Sequence, residues 1–460
     1  MFNSINKYLT HNPVKTGVNL NTIIPDIYKQ HIEKVKKFNR LFEKSTTLNA
    51  DYAKMLDEYI KENKLHNSKI NLNYYKLIAL KTADLVCGYT PTVVSQTNQD
   101  VIANILNRID FKNEIYNTVL NTIKQGGCVK YLYTDEDTKL SNSINLEYDV
   151  LFPILSDDMT YKIKSYLILN VITIDHETNK QMLIEQEHFK GYYILKKYEM
   201  TNMVVGRLLS TETIQTGLSD FAIVVYNNYK NKNTDLFGAS DLEIIESIVS
   251  EITARLTQIS INNNKFANPT AIVEEAALTQ NDDGSYSFKT GGAVIETPEG
   301  KGTTRFLESG ATYDSCFKEL DFLIKQLAVL SELGLSVMGL DESGQAQSGL
   351  AMEYKLMSPL SKAKRLTRLL NNSLVKEIKL LAELDGHKID DIQITWFDAL
   401  PTDEMADADY VANRINNRTM TIKDGIKYLD ENITDEEAEQ KAEEIKNENA
   451  TTVDFTNLFK

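Results

Sequence analysis

Two long stretches with helical apolar spacing, separated only by a compact β-rich excursion, constrain this chain more than any other feature. Residues 238–264, GASDLEIIESIVSEITARLTQISINNN, place Leu242, Ile245, Ile248, Val249, Ile252, Leu256 and Ile259 on one helical face. At about 1.5 Å per residue they predict a helix of about 35 to 40 Å. A second run, TYDSCFKELDFLIKQLAVLSELGLSV at 312–337, repeats the spacing at Phe317, Leu320, Ile324, Leu327 and Leu330. Between them, TAIVEEA, SYSFKT and GAVIET read as short strands parted by Asp-Asp-Gly and Pro-Glu-Gly turns. The simplest fold for such a segment is a helix pair carrying a small β tip.

The segment that follows, GLDESGQAQSGLAM at 339–352, is pliable. Gly339, Gly344 and Gly349 free the backbone, while Ser343, Gln345, Gln347 and Ser348 offer uncharged hydrogen bonds. A catalytic lid, a surface connection and an element that slides against a partner all fit those residues. A third long helix is predicted over 350–384, with Pro359 placed to kink it and an apolar stripe from Ala363 to Leu381. Its other face is basic, with Lys355, Lys362, Lys364, Arg365, Arg368, Lys376 and Lys379. Such a band is either solvated and ion-paired or faces an acidic neighbour or DNA. A strand, DIQITWFDA, and helices at 402–418, 422–431 and 435–447 complete the C-terminal part, the last opened by a Thr434/Glu437 capping box. In the tail, Phe455, Leu458 and Phe459 could dock on a partner.

The N-terminal half reads as α+β. Helices are predicted over 21–45, 50–65, 71–93 and 110–125, with Gly88 and Pro91 stopping the third and Gly126-Gly127 turning the fourth into the strand CVKYLYTDE. Strands then dominate to about 226, in YDVLFPILS, YKIKSYLILNVITID, KQMLIEQEHFKGYYILKKYE and FAIVVY.

The formal charge of −15 argues against a protein that grips nucleic acid, because tight binding requires cations that displace phosphate counterions. It leaves room for one that surrounds DNA without holding it. No run reaches the roughly 18 apolar residues of a membrane span, and MFNSINKYLTHNPVK lacks the apolar core of a signal peptide, so a cytosolic protein is expected. Cys87, Cys128 and Cys316 are far apart and suggest neither a disulfide framework nor a zinc site. The six histidines lack HExxH or HxH spacing. GGAVIETPEGKGTT resembles a phosphate loop only loosely: Gly292 lies too far from Gly300-Lys301, and Gly302 stands where Ser or Thr is needed. No catalytic set, metal or cofactor is predicted.

The order of these parts resembles that of bacteriophage portal proteins, or head-to-tail connectors, of the branch found in tailed phages of Gram-positive bacteria. The resemblance runs over most of the chain. It is carried most by YNNYKNKNTDLFGASDLEIIESIVSEITARLTQISIN, with Asn227, Asn228, Gly238, Ser240, Asp241 and Leu242, and by KLIALKTADLVCGYTPTV, KQGGCVKYLYTDE, GLAMEYKLMSPLSKAKR and ITDEEAEQKAEEI. The family's proline before Asn-Asn is replaced by AIVVY, and its N-terminal Tyr-Tyr-x-Gly element by FNRLFEKSTTLNADY. The resemblance implies a portal-like α+β fold: a mixed α/β wing at 1–237, stem helices at 238–265 and 312–338, a small β-rich clip at 266–311, a tunnel loop at 339–349, a kinked wing helix at 350–386, and a helical crown with tail at 387–460.

It further implies a non-enzymatic ring of about twelve subunits around a DNA channel at one capsid vertex. The expected partners are the terminase large subunit, a head-tail adaptor, the major capsid and scaffold proteins, and double-stranded DNA passing without sequence specificity. The expected location is the virion, after assembly in the host cytoplasm. Asp341, Glu342, Ser343, Gly344, Gln345, Gln347 and Ser348 would form the loop that approaches the duplex. Lys362, Lys364, Arg365 and Arg368 would form a band meeting DNA or the next subunit. A capsid-associated scaffold would share the helices and the acidity without needing the β tip followed by a pliable loop. An enzyme would need a convergent catalytic set.

Overall fold

The computed structural model describes residues 17–44, 57, 58, 61, 72–156, 160, 162–175, 180–232, 235–267, 271–274, 279, 280, 286, 287, 294–298, 305, 306, 313–340, 349–397, 404–430, 433 and 436–446. Two compact units result, Met1–Gln345 with Lys355–Ala399 and Ala346–Tyr354 with Leu400–Lys460.

The first unit opens with α1 (Leu20–Ile23) and α2 (Asp26–Lys44). Pro25 divides them, since it forces Ile24 into extended backbone, and its own carbonyl then receives the Tyr28 and Lys29 N–H groups that start α2. The single helix expected over 21–45 is therefore two. After α3 (Tyr74–Cys87), which stops at Gly88 as expected, the chain enters β1 (Thr92–Val94). Next come α4 (Gln99–Arg108), which the sequence reading passed over, and α5 (Phe111–Gln125). Gly126 closes α5 in the left-handed region at φ 87° and aims the chain into β2 (Gly127–Thr134).

Then follow β3 (Ser141–Leu146), a 3-10 turn at Tyr148–Val150, β4 (Leu151–Leu155), β5 (Ile163–Asp175), β6 (Lys180–Phe189), β7 (Tyr192–Thr201), β8 (Val204–Gln215) and β9 (Ile223–Asn227). They make two antiparallel sheets, ordered β3-β2-β9 and β4-β5-β6-β7-β8. β3 and β8 were not foreseen. The fold is α+β, as expected.

The long-helix region holds α6 (Glu246–Ala267), β10 (Ala271–Glu274), β11 (Thr279–Gln280), β12 (Tyr286–Ser287), β13 (Val294–Thr297), β14 (Arg305–Phe306), α7 (Tyr313–Leu330), α8 (Gly334–Val337), α9 (Gly349–Leu384) and β15 (Gln393–Thr395). The β excursion between α6 and α7 has β10 at its centre, parallel to β13 and antiparallel to β14. One apolar cluster unites Ile78 and Ala83 of α3, Val119 and Ile123 of α5, Val249 and Ile252 of α6, Leu327 of α7, and Leu374 and Ile378 of α9. In the second unit α10 (Glu404–Asn416) meets α11 (Ile422–Leu429), and a further helix, α12, spans 436–446. Thr421 caps α11 by accepting the Asp424 N–H at 3.1 Å. The Thr434 half of the predicted capping box lies outside the described residues.

Two predicted helices are shorter than their apolar spacing suggests. The 238–264 run becomes helical only at Glu246, because the Ser240 hydroxyl and the Asp241 N–H bond to carbonyls at the end of α5 and 241–245 follow as turns. The 312–337 run breaks after Leu330, where Glu332 at φ 60° and Gly334 at φ 67° reverse the chain. By contrast, α9 runs unbroken through Pro359 over its full 36 residues.

Candidate functional site

The residues preceding α6 form a buried junction with the end of α5. Here the backbones of Gly126 and Gly238 touch: a Cβ on Gly126 would lie 2.3 Å from the Gly238 carbonyl oxygen, and one on Gly238 would lie 2.1 Å from that of Gly126. Only two glycines allow such an approach. The contact lets the Asn228 N–H donate to the Gly126 carbonyl at 3.0 Å and the Asp241 N–H to that of Ile123 at 3.1 Å. The Ser240 hydroxyl donates to the Lys124 carbonyl at 2.6 Å and accepts the Leu242 N–H at 3.1 Å. Carbonyls at the end of α5, which have no partner inside their own helix, are thus satisfied by the segment that leads into α6.

Tyr148 supports the junction from below. Its ring stands where a Cβ on Gly127 would fall, and its hydroxyl donates to Asn227 Oδ1 at 2.6 Å while accepting the Gly238 N–H at 3.3 Å. His31 of α2 stacks on Phe237 with centroids 3.5 Å apart, and its Nε2 lies 2.9 Å from the Tyr148 carbonyl. A carbonyl only accepts, so this nitrogen carries the proton. Burial pulls the His31 pKa down to about 4, the hydrogen bond to the Tyr148 carbonyl opposing part of the shift. The ring is neutral at physiological pH.

A buried ion pair fastens α9 to the same place. Lys362 Nζ lies 2.7 Å from Asp241 Oδ2, with the two side chains 4% and 5% exposed. Asp241 Oδ1 accepts from Asn228 Nδ2 at 2.7 Å, and Lys362 also donates to the Ser331 carbonyl at 2.9 Å. One turn further along α9, Arg365 grips Glu332 through two hydrogen bonds of 3.0 and 2.7 Å. Asn228, the start of α6, the reversal after α7 and the middle of α9 therefore meet within a few ångströms.

A second buried polar group lies under α9. Glu377 accepts from the Tyr226 and Ser143 hydroxyls, and burial together with that carboxylate pushes the Tyr226 pKa well up. Lys130 Nζ sits 2.7 Å from Glu114, which also accepts from Asn145 Nδ2 at 2.7 Å.

Of the residues singled out in the sequence, Asp341, Glu342, Ser343, Gly344, Gln345, Gln347 and Ser348 lie outside the described residues. The basic band is split. Lys362 is not part of a surface band, because α9 turns it inward to Asp241 and Ser331. Arg365 serves the Glu332 pair, whereas Lys364 and Arg368 lie at or near the surface. Lys376 and Lys379 pair with Asp220 and Asp390. Asn227, Asn228, Gly238, Ser240, Asp241 and Leu242 come together as one junction. Sequence reading missed the ionic role of Asp241 and the supporting roles of His31 and Tyr148, which no local pattern marks. Among the described residues no cluster of three or more His, Cys, Asp or Glu could hold a metal, and no helix is long and apolar enough to cross a membrane.

The arrangement is mechanical: it fixes three long helices and a sheet to one another. A family model described as phage portal protein, SPP1 Gp6-like, matches residues 21–451. Among solved structures, the chain is similar to one in the neck of a native gene transfer agent particle computed with C12 symmetry. The identity is 10%, with 77% of this chain and 89% of that chain covered and a TM-score of 0.43. A chain of the virion of the native gene transfer agent particle matches at 11% identity, covering 75% and 84%, with a TM-score of 0.43. One from the neck of the empty particle computed with C6 symmetry matches at 11%, covering 74% and 84%, with the same score. No curated protein matches the chain in sequence.

Proposed function

We propose, from the premise that the chain belongs to the SPP1 Gp6-like family of phage portal proteins, that about twelve copies close into a ring around a DNA channel at one capsid vertex. Portal proteins are structural parts of a phage virion rather than enzymes. In this reading the ring docks the terminase motor, passes DNA during packaging and ejection, and joins head to tail through an adaptor. Its host would be a Gram-positive bacterium, its place of assembly the host cytoplasm beside scaffold and major capsid protein, and its final place the virion. In this reading residues 1–237 form the wing, 238–265 and 312–338, which contain most of α6 and α7, the stem, 266–311 the clip, 339–349 the tunnel loop, 350–386 a kinked wing helix, and 387–460 the crown and tail.

The observation that carries the reading is the antiparallel pair α6 and α7, joined through the compact β excursion and rooted in the first unit by Lys362. That lysine reaches Asp241 before α6 and Ser331 after α7 with one ammonium group. A conduit must touch DNA of any sequence, so base-reading side chains are unwanted and firm phosphate clamps would stall the strand. The small polar residues of 343–348 and the net charge of −15 meet that requirement. Lys364 and Arg368 remain candidates for a contact with DNA or a neighbouring copy. Negative-stain microscopy with light scattering tests the ring. Particles with a central hole and a mass near 630 kDa, about twelve chains of 52.2 kDa, are expected. A monomer or dimer that persists with scaffold and capsid protein present overturns it.

A further inference from the structure

The outward stripes of α6 and α7 are unlike each other, and they are level. On α7, Lys318, Phe322, Lys325 and Val329 follow one another at three- and four-residue steps and are all exposed, Phe322 by 59% and Val329 by 67%. On α6, Ser247, Glu251 and Gln258 are exposed along one stripe, and Ile244, in the turn just before the helix, continues it and is 52% exposed. Each stripe lies away from Ile252, Ile259, Leu320 and Leu327, which share the apolar cluster between the helices. One flank of the pair therefore carries a carboxylate, a small serine and an isoleucine, and the other carries two lysines, a phenylalanine and a valine.

Two contacts fix the relative height of the helices. Lys362 ties Asp241 to Ser331, and Arg255 Nε lies 3.1 Å from Glu319. The helices are antiparallel, with residue 255 level with 319. Counting from there at about 1.5 Å per residue, Glu251 stands level with Leu323, between Phe322 and Lys325, and the start of α6 at Glu246 level with Ala328; Ile244, in the turn two residues before it, falls near the level of Val329. Ser247, level with Leu327, falls between those two contacts and leaves room for a facing helix. In a ring whose axis runs along the stem every copy stands at one height, so the same correspondence holds between neighbours.

We infer that the α7 flank of one copy packs on the α6 flank of the next, with Lys325 against Glu251 and with Val329 against Ile244. This rests on the ring reading given above and adds to it which faces meet. A second copy is the occupant because the opposite charges and the apolar residues occur at matching levels on one chain. Such a pair of unlike faces is satisfied only head to tail, the arrangement that closes rings. The charged residues already hold partners on their own helices, Lys325 with Asp321 and Glu251 with Arg255, at exposed positions where exchanging partners costs little.

Charge reversal tests the contact on the full chain. Glu251→Lys, and separately Lys325→Glu, should each lower the ring fraction about fivefold by light scattering, with circular dichroism unchanged. The two substitutions together should restore it to within about twofold, because opposite charges face each other again at every interface. As a second measurement, Ile244→Cys and Val329→Cys chains are co-expressed in a Cys316→Ser background and oxidised. Disulfide-linked dimers should form in the mixture and not with either chain alone. Wild-type rings accompanied by unaffected reversals, by a failed restoration with native circular dichroism, or by no mixed disulfide would overturn the inference and leave the ring standing. Absence of rings from the wild type in the presence of scaffold and capsid protein would overturn both.

Discussion

Replacing Lys362 with methionine isolates the energetic role of the junction. Methionine keeps most of the stem length but removes the ammonium group from a site where Lys362 is 3% exposed. Asp241 Oδ2 then loses its cation at 2.7 Å and the Ser331 carbonyl its donor at 2.9 Å, while Asn228 still donates to Asp241 Oδ1. Breaking one side of a buried ion pair costs about 3 to 5 kcal/mol, because a charge is left in low dielectric. Changing both partners, Lys362→Met with Asp241→Asn, removes the stranded charge and should recover all but about 1 to 2 kcal/mol. Lys423→Met, which removes the exposed pair with Glu439, should cost under about 1 kcal/mol. The assay is urea unfolding at fixed protein concentration, followed by tyrosine fluorescence and circular dichroism. A Lys362→Met loss below about 1 kcal/mol, or a double variant no more stable than the single one, would refute the claim that the buried charge is what matters.

Three further outcomes follow from the same structure. Gly126→Ala and Gly238→Ala should each lower the unfolding midpoint by the equivalent of more than about 2 kcal/mol or abolish soluble expression, since backbone meets backbone there. Gly17→Ala, in open space at φ 80°, should cost only about 1 kcal/mol of backbone strain, which parallel denaturation curves will compare. His31 and His188 are both pulled down by burial to about 4 from an ordinary 6.5, so in that window the unfolded chain is protonated and the folded chain is not. Stability is therefore complete above about pH 6.5 and falls as pH drops toward 4, by up to about 3 kcal/mol per histidine. His31→Phe should remove its share of that slope between pH 7 and 5, and an unchanged slope would count against the neutral buried ring. Gln345→Glu with Gln347→Glu should leave rings intact while reducing DNA packaged per capsid, and packaging at the wild-type level would remove the loop from contact with the duplex.

The fold class and the long helices were legible because their apolar stripes are local and periodic: Ile248, Ile252 and Ile259, and Leu366, Leu370 and Leu374, are buried where the spacing put them. What escaped was set by distant partners. Leu242 and Ile245 fit the helical spacing and are buried, yet their backbone is not helical, because Ser240 bonds a carbonyl 117 residues upstream. A stripe cannot reveal that a hydroxyl and an N–H have better partners elsewhere. Lys362 looked like one member of a basic face for the same reason, its carboxylate being supplied by a segment far back in the chain. β8 escaped because VVGRLLSTETIQ is an edge strand with most residues exposed, so it lacks the alternation that marks a half-buried strand. Of the candidate residues, the Asn-Asn and Gly-x-Ser-Asp-Leu positions were visible as a pattern. Their joint mechanical role emerged only when α5 supplied the carbonyls that they satisfy.

A buried ion pair is a poor means of raising stability, since an apolar pair of similar volume is often as good. Its use at this junction is better explained by position. An apolar contact between α9 and the start of α6 would tolerate sliding by a fraction of a turn, whereas Lys362 must meet Asp241 and the Ser331 carbonyl together, and Arg365 must meet Glu332 one turn later. Two adjacent turns of α9 thus set the height at which α6 begins and α7 ends. If α6 of each copy packs on α7 of the next, an error of one helical turn at this root would carry Lys325 away from Glu251 and Val329 away from Ile244. The error would recur at every interface of a closed ring. In that arrangement, fixing the root by charge rather than by apolar packing would confine the α6–α7 pair to one height, and a ring of identical chains closes only when all of them agree on that height.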